Sequence, residues 1–355
     1  MGHTVGVLLD RKIFMGISKG KTGNEKLSLY NQVAKQHNLT PFYTSLHQIG
    51  ITTAQGYIYT KNKYKFVRRP IPKVTHNRAM TLSPFLKRKL KQLSKNSFIF
   101  NRQNRYDKYY IYKLLHQNIH LRDYLPVSLK YSEKVLKSAM AAYQSLFIKP
   151  TNDSIGNGIM KLTKQLSGKW LLFWKKGKQT LLSAKRAVSV IQKVVGKRTY
   201  MIQETIALAT YKGRPYDLRV SVQRGTSGRW QVTGVVGKVA SAGRHVTNVA
   251  KGGKVRRTEV LFKNNRFNFE TMMNDIRRAS ISIMNDLSGK LPHLADVGLD
   301  IGIDHRGHIK LIEVNGRDQR YSFKKAKMSA TFYRTYETPL QYAKYLLQQA
   351  QSSKS

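Results

Sequence analysis

Near the C-terminus two short apolar segments, Leu299-Asp300-Ile301-Gly302-Ile303 and Ile309-Lys310-Leu311-Ile312-Glu313-Val314-Asn315, are separated only by Asp304 to His308. A parallel pair needs a crossover of roughly a dozen residues, so strands this close pair as an antiparallel hairpin. Side chains alternate faces along a strand. Leu299, Ile301 and Ile303 then face a core, Asp300 faces away, and Glu313 and Asn315 share a face. The hairpin can bring Asp300 beside Glu313 and Asn315. Two carboxylates and a carboxamide oxygen form an all-oxygen set of the kind that suits Mg²⁺. The same acids are equally suited to ion pairs with lysine and arginine.

Both uses gain weight from the scarcity of acids. The 355 residues carry 64 Lys+Arg against 18 Asp+Glu, a formal charge of +46. Residues 1–152 hold only Asp10, Glu25, Asp107, Asp123 and Glu133 as acids. Such a chain is drawn to polyanions: nucleic acid, anionic cell-wall polymers or acidic lipid headgroups, and its charge would also serve an acidic acceptor such as a peptide or wall polymer. Lys61 to Arg69 and Lys108 to Lys113 interleave bases with aromatics, one way to hold a single strand. No nucleic-acid recognition motif accompanies them, so binding of that kind is expected to be non-specific. The first segment also reads as a solvated hairpin strand with Tyr64 and Phe66 packed inward. At 41% hydrophobic residues the chain can bury a core, which excludes wholesale disorder. With no cysteine, disulfide scaffolds, Cys-ligated zinc, iron–sulfur clusters and a Cys nucleophile are excluded, which fits a cytoplasmic setting. No apolar run approaches the ~18–20 residues of a spanning helix. The N-terminal Val5–Leu9 run reads as a first strand rather than a signal peptide.

The rest of the chain alternates short strands and amphipathic helices, as α/β domains do. The spacing predicts helices over 27–34, 82–93, 106–115, 132–143, 184–195 and 271–287. Leu82, Phe85, Leu86, Leu90 and Leu93 form the expected stripe of the second, and Ser132 the N-cap of the fourth. Hairpins are expected at 55–67 and 170–182. The domain reading is 1–100 for a small open α/β unit, 101–200 and 201–345 for two lobes, and 346–355 for a frayed polar tail. Met15 to Thr22 ends in Gly-Lys-Thr, but Gly16 and Gly20 stand too close for a phosphate-binding loop of the Walker type. Phe147-Ile148-Lys149-Pro150 followed by Ser154, Gly156 and Gly158 reads as strand, glycine loop and strand. Such a loop can approach phosphates or simply close a hairpin.

Taken in order, Asn104-Arg105-Tyr106-Asp107-Lys108, Leu125-Pro126, Phe147-Ile148-Lys149-Pro150 with its glycines, Gln203-Glu204-Thr205-Ile206, Asp217-Leu218-Arg219, Val246-Thr247-Asn248 with Gly252-Gly253, and Gly298 to Asp304 closing on Glu313-Val314-Asn315 resemble the ATP-grasp superfamily. The likeness is to its endospore coat-associated YheC/YheD-like family, and it covers roughly 101–342. The resemblance implies an α/β fold in which a small open N-terminal domain precedes a two-lobed ATP-grasp unit. It implies ATP and Mg²⁺ as cofactors, and an unidentified carboxylate and amine joined through an acyl phosphate. Lys108 and Lys149 would hold the α/β-phosphates. The loop of Ser154, Gly156 and Gly158 would close over the nucleotide. Gln203, Glu204 and Thr205 would lie at the hinge, with Glu204 and Thr205 meeting adenine through backbone. Asp217 would lie near the ribose or phosphates. Arg219 and Asn248 would face the γ-phosphate and acyl group. Asp300, Glu313 and Asn315 would hold the metal. Related ligases often carry arginine where this chain has Lys238, a charge that Arg244 could also supply, and proline where it has Arg317. A spore-associated setting follows from the resemblance alone. A non-catalytic structural protein on the same fold, or a basic polyanion-binding module, are the competing readings.

Overall fold

The computed structural model describes residues 3–153, 157–174, 178–242, 247 and 252–352. The first unit follows from β-branched and aromatic runs broken by helices with one apolar stripe. Its strands are β1 (His3–Leu8), β2 (Leu39–Thr44), β3 (Thr53–Thr60), β4 (Lys63–Pro70), β5 (Val74–Asn77) and β6 (Phe98–Phe100), in the order β4-β3-β2-β1-β5-β6. Helices α1 (Arg11–Met15), α2 (Leu27–Gln36) and α3 (Pro84–Leu93) connect them. β1 runs parallel to β2 and β5, and the β3–β4 hairpin continues the sheet antiparallel. Two expectations need correction here. Leu82 and Phe85 are exposed, and the buried face of α3 is carried by Leu90 and Leu93: Leu82 precedes the helix, and Phe85 lies in its first turn with its ring against His47. Phe66 stays half exposed, because β4 is an outer strand and its ring reaches only Tyr57 and the edge of Phe14.

The second unit holds α4 (Lys108–His116), β7 (Ser128–Lys130), α5 (Glu133–Ala142), β8 (Ser145–Pro150), β9 (Met160–Lys164), β10 (Trp170–Trp174), β11 (Lys178–Leu182), α6 (Ala184–Val195) and β12 (Tyr200–Glu204). Its strands order as β11-β10-β9-β8-β12-β7. Leu146, Ile148, Leu162 and Leu172 bury one face against Leu136 of α5 and Ile191 of α6. Ser132 does cap α5, its hydroxyl accepting from Val135 N–H, which satisfies one of the orphan donors of a helix start.

The third unit holds β13 (Thr210–Tyr211), β14 (Arg214–Arg224), β15 (Trp230–Val239), β16 (Lys254–Arg256), α7 (Thr258–Asn264), α8 (Phe269–Lys290), β17 (Asp296–Ile303), β18 (Ile309–Asn315), α9 (Tyr321–Lys325) and α10 (Ser329–Ser352). The order β16-β15-β14-β17-β18 is antiparallel throughout. Ile276, Ala279, Ile283 and Leu287 of α8 cover its inner face. The polar segment expected to fray instead extends α10 to Ser352. That helix joins the units: Tyr336, Leu340 and Ala343 share one core with Val5, Tyr30 and Val33 of the first.

Candidate active site

Strand register puts the site together. Across β14 and β17, Arg219 lies opposite Asp300. Across β14 and β15, Asp217 lies opposite Lys238. Across β17 and β18, Asp300 lies opposite Glu313 and Gly298 opposite Asn315. Directly opposed side chains share a face, so two bases and two acids of neighbouring strands meet with Glu313 and Asn315 on one surface. Arg219 Nε donates to Asp300 Oδ1 at 2.8 Å and Nη2 to Oδ2 at 3.3 Å, and Nη1 donates to Asp318 Oδ1 at 3.3 Å. Lys238 Nζ lies 2.9 Å from Asp300 Oδ1 and 3.1 Å from Asp217 Oδ1. The Thr247 hydroxyl donates to Asp217 Oδ2. Asn315 Nδ2 donates to Asp300 Oδ2 at 3.3 Å.

The facing lobe adds lysines. Asp107 caps α4 by accepting from Tyr110 N–H, which fixes Lys108 in the first turn. Lys108 Nζ donates to Asp153 O and stands 3.4 Å from Glu313 Oε1 of the other lobe. Lys149 on β8 donates to Gln203 Oε1 on β12 at 2.5 Å, and Gln203 Nε2 donates to Ser128 Oγ. Between the lobes and the first unit lies a cavity of about 840 Å³, room for a nucleotide and a second small molecule. Of the sequence-assigned residues the structure describes, all line it except Gly158 and Thr205. Ser154, Gly156, Arg244 and Asn248 lie outside the described residues.

Some placements differ from the implied roles. Gly158 is held at φ +70° with Tyr200 Oη 2.8 Å from where a Cβ would stand, so its glycine serves backbone conformation and close packing. The Glu204 and Thr205 N–H groups already donate to Val127 O and Ser145 O, so neither is a free donor for a base. Arg219 directs Nε and Nη2 at Asp300 and Nη1 at Asp318, so these three donors are already engaged.

Electrostatics follow from burial and these contacts. Burial alone would raise the Asp300 pKa, but Arg219 and Lys238 hold it below the usual carboxylate range. Burial lifts that of Asp217 above its ordinary value despite Lys238, and the Asp300 charge adds to the rise. Burial lifts Asp318 in spite of Arg219. Burial lowers Lys149 to about 8, Lys108 adding to the drop and Glu313 opposing it.

The donor chemistry fits a hard divalent cation: an anionic Asp300, a Glu313 facing the cavity and a carboxamide, all oxygen. Both Asp300 oxygens already accept from cationic donors, so Lys238 occupies part of the charge field a metal would share. Among the described residues, no three His, Cys, Asp or Glu side chains cluster as metal ligands.

A second buried ionic group escaped the sequence reading. Asp296, at the start of β17, receives Gln223 Nε2 at 2.7 Å, His76 Nε2 at 3.0 Å, Arg78 Nη1 at 3.2 Å and Arg320 Nη2. Arg78 also grips Glu25 through Nε and Nη2. Arg317, where related ligases often have proline, pairs with Asp10 at 2.7 Å and donates to Arg78 O. The clue available was the Arg317–Asp318–Arg320 run just after Asn315. Gly298 belongs to the same design: a Cβ there would come within 2.6 Å of Asp318 Oδ1.

A family model described as YheC/D like ATP-grasp matches residues 96–346. The endospore coat-associated protein YheD of Bacillus subtilis is 26% identical over 326 residues, covering 88% of this chain and 72% of that protein. Among solved structures, D-alanyl-alanine synthetase A from Vibrio cholerae matches with a TM-score of 0.57 at 12% identity, covering 95% of this chain and 98% of that one. A D-cycloserine synthetase matches with a TM-score of 0.56 at 10% identity, covering 94% and 98%. At those identities the structural likeness establishes the fold. Among the described residues no helix is long and apolar enough to cross a membrane. With the family model spanning both lobes and the hairpin that carries Asp300 and Glu313, the chain belongs to the YheC/D-like ATP-grasp family.

Proposed function

We propose that this protein is an ATP- and Mg²⁺-dependent ligase that activates a carboxylate and passes its acyl group to an amine or similar nucleophile. The observation that carries the reading is the meeting, in one cavity, of Lys108 and Lys149 from one lobe with Lys238, Asp300, Glu313 and Asn315 from the other. In it, Lys108 and Lys149 hold the α- and β-phosphates as point charges. Lys238 faces the transferring phosphoryl group, and Arg219 keeps Asp300 oriented. Asp300, Glu313 and Asn315 would hold Mg²⁺, which when bound would supply charge neutralisation on the phosphates. The substrate carboxylate oxygen attacks the γ-phosphorus and ADP leaves. The nucleophile then attacks the acyl carbonyl and inorganic phosphate leaves. Transfer of this kind rests on positioning and electrostatics rather than a protein nucleophile, so a chain without cysteine suits it. The likeness to an endospore coat-associated protein supports a spore-envelope setting.

The test is to incubate the enzyme with ATP, Mg²⁺ and a panel of amino acids and dicarboxylates bearing heavy oxygen in the carboxylate, and to follow released phosphate by mass. Label appearing in phosphate is expected for the true acyl donor. Release of unlabelled phosphate with every carboxylate, at a rate that none of them stimulates, would contradict the ligase reading.

A further inference from the structure

The β3–β4 hairpin presents a surface that the ligase reading does not use. β4 pairs with β3 along its whole length, from Lys63 opposite Thr60 to Pro70 opposite Thr53. Among the described residues it has no strand on its other side. Its eight residues leave alternate N–H and C=O groups unpaired by the sheet, a ready template for another strand. The chain carries no acid between Glu25 and Asp107. Lys63, Lys65, Arg68 and Arg69 are exposed along this edge, and none of them joins the ion pairs of the described residues. On the face of the hairpin opposite Lys63, Lys65 and Arg69, Phe66 and Tyr59 are 51% and 40% exposed, so an added strand meets bases on one face and apolar area on the other.

We propose that the free edge of β4 takes an acidic peptide in extended conformation as an added strand. Charge decides the occupant. A second copy of this chain would set base against base, whereas an acidic strand meets both the side-chain charge and the unpaired backbone. A polyphosphate or nucleic acid would satisfy the charge but leave the backbone groups unmatched. The hairpin also neighbours the cavity wall: Phe66 lies 6.5 Å from Phe14 of α1, whose neighbour Ile13 lines the cavity. The docking itself does not depend on ATP.

The experiment measures anisotropy of a fluorescent eight-residue peptide alternating Glu and Thr, matched in length to β4. Three comparisons are made: the peptide N-methylated at every residue, so that both of its edges lose their donors, inorganic polyphosphate as competitor, and two double variants. Lys65→Glu with Arg69→Glu alters the edge. Lys185→Glu with Arg186→Glu alters an exposed part of α6 by the same charge. The edge variant is expected to weaken binding at least about tenfold and the α6 variant by less than about twofold, with melting temperatures showing both folded. N-methylation is expected to abolish binding, since it removes the backbone donors. No binding of the plain peptide overturns the proposal. So does equal loss in both variants, or equal affinity for the N-methylated peptide or polyphosphate; either reduces the surface to a non-specific polyanion binder. ATP binding measured on the same samples keeps this result separate from the fate of the ligase reading.

Discussion

Burial beside Gln203 brings Lys149 to about 8, so its charge changes just above neutral pH. A phosphate-holding lysine loses its attraction on deprotonation, so nucleotide affinity is expected to fall as pH rises from about 7 to about 9. Lys149→Arg keeps its charge throughout that range and should flatten the fall in a calorimetric titration; the same slope in both proteins would show that Lys149 does not face phosphate. At this scale the sequence made Asp300, Glu313 and Asn315 legible as a group, because period two and a short hairpin are local rules. Asp318 was not legible, and Thr247, read only as part of a motif, was given no partner. Each lies beyond a strand end, where no periodicity says which way a side chain points, yet they hold Arg219 and Asp217.

Asn101 is the joint between elements. Its backbone sits at φ 54°, a left-handed conformation that asparagine tolerates better than most. Its Oδ1 accepts from Ala295 and Asp296 N–H at 3.1 and 2.9 Å, and its Nδ2 donates to Asp296 O and Gly316 O. One side chain thus ties the end of β6 to the start of β17 and the end of β18. Asn101→Ala is expected to cost about 2–4 kcal/mol in urea unfolding, since it leaves several buried polar groups unpaired; a loss within about 0.5 kcal/mol would contradict this role. Elements themselves read well where the pattern was long, as in α8 and the β17–β18 hairpin. They read poorly where tertiary context overrode the stripe. Phe85 has the spacing of a core residue but lies on the solvent side of α3, and the polar end of α10 is helical because the preceding turns dock on the first unit.

The whole molecule is clamped by a buried ionic group that spans the first unit and the third. Burial lowers His76 to about 4, against the pull of Asp296. Burial would raise Asp296, but Arg320, His76 and Arg78 hold it below the usual carboxylate range. Both shifts have the same sign for stability. Below about pH 6.5 the unfolded chain takes a proton on His76 that the folded one refuses until about 4, and below about pH 4 it takes one on Asp296 as well. Stability is therefore present above pH 6.5 and lost as pH falls. The melting temperature should decline between about pH 6.5 and about pH 4, and less steeply in His76→Gln. Equal slopes would remove His76 from the acid response. This clamp was invisible in the sequence because its members come from Glu25, His76, Arg78, Asp296 and Arg320, too far apart for any local rule. The net charge was plain from composition, but only the sheet order reveals that part of it runs along an unpaired edge.

In the proposed function the cavity holds ATP through Mg²⁺ at the β17–β18 hairpin. Calorimetric titration of ATP with and without Mg²⁺, on the wild type and on Glu313→Ala, tests it most directly. Binding is expected to require Mg²⁺ and to weaken about tenfold or more in the variant. Folded protein that binds no ATP in either condition, or binds it equally well without Mg²⁺ and without Glu313, would contradict it.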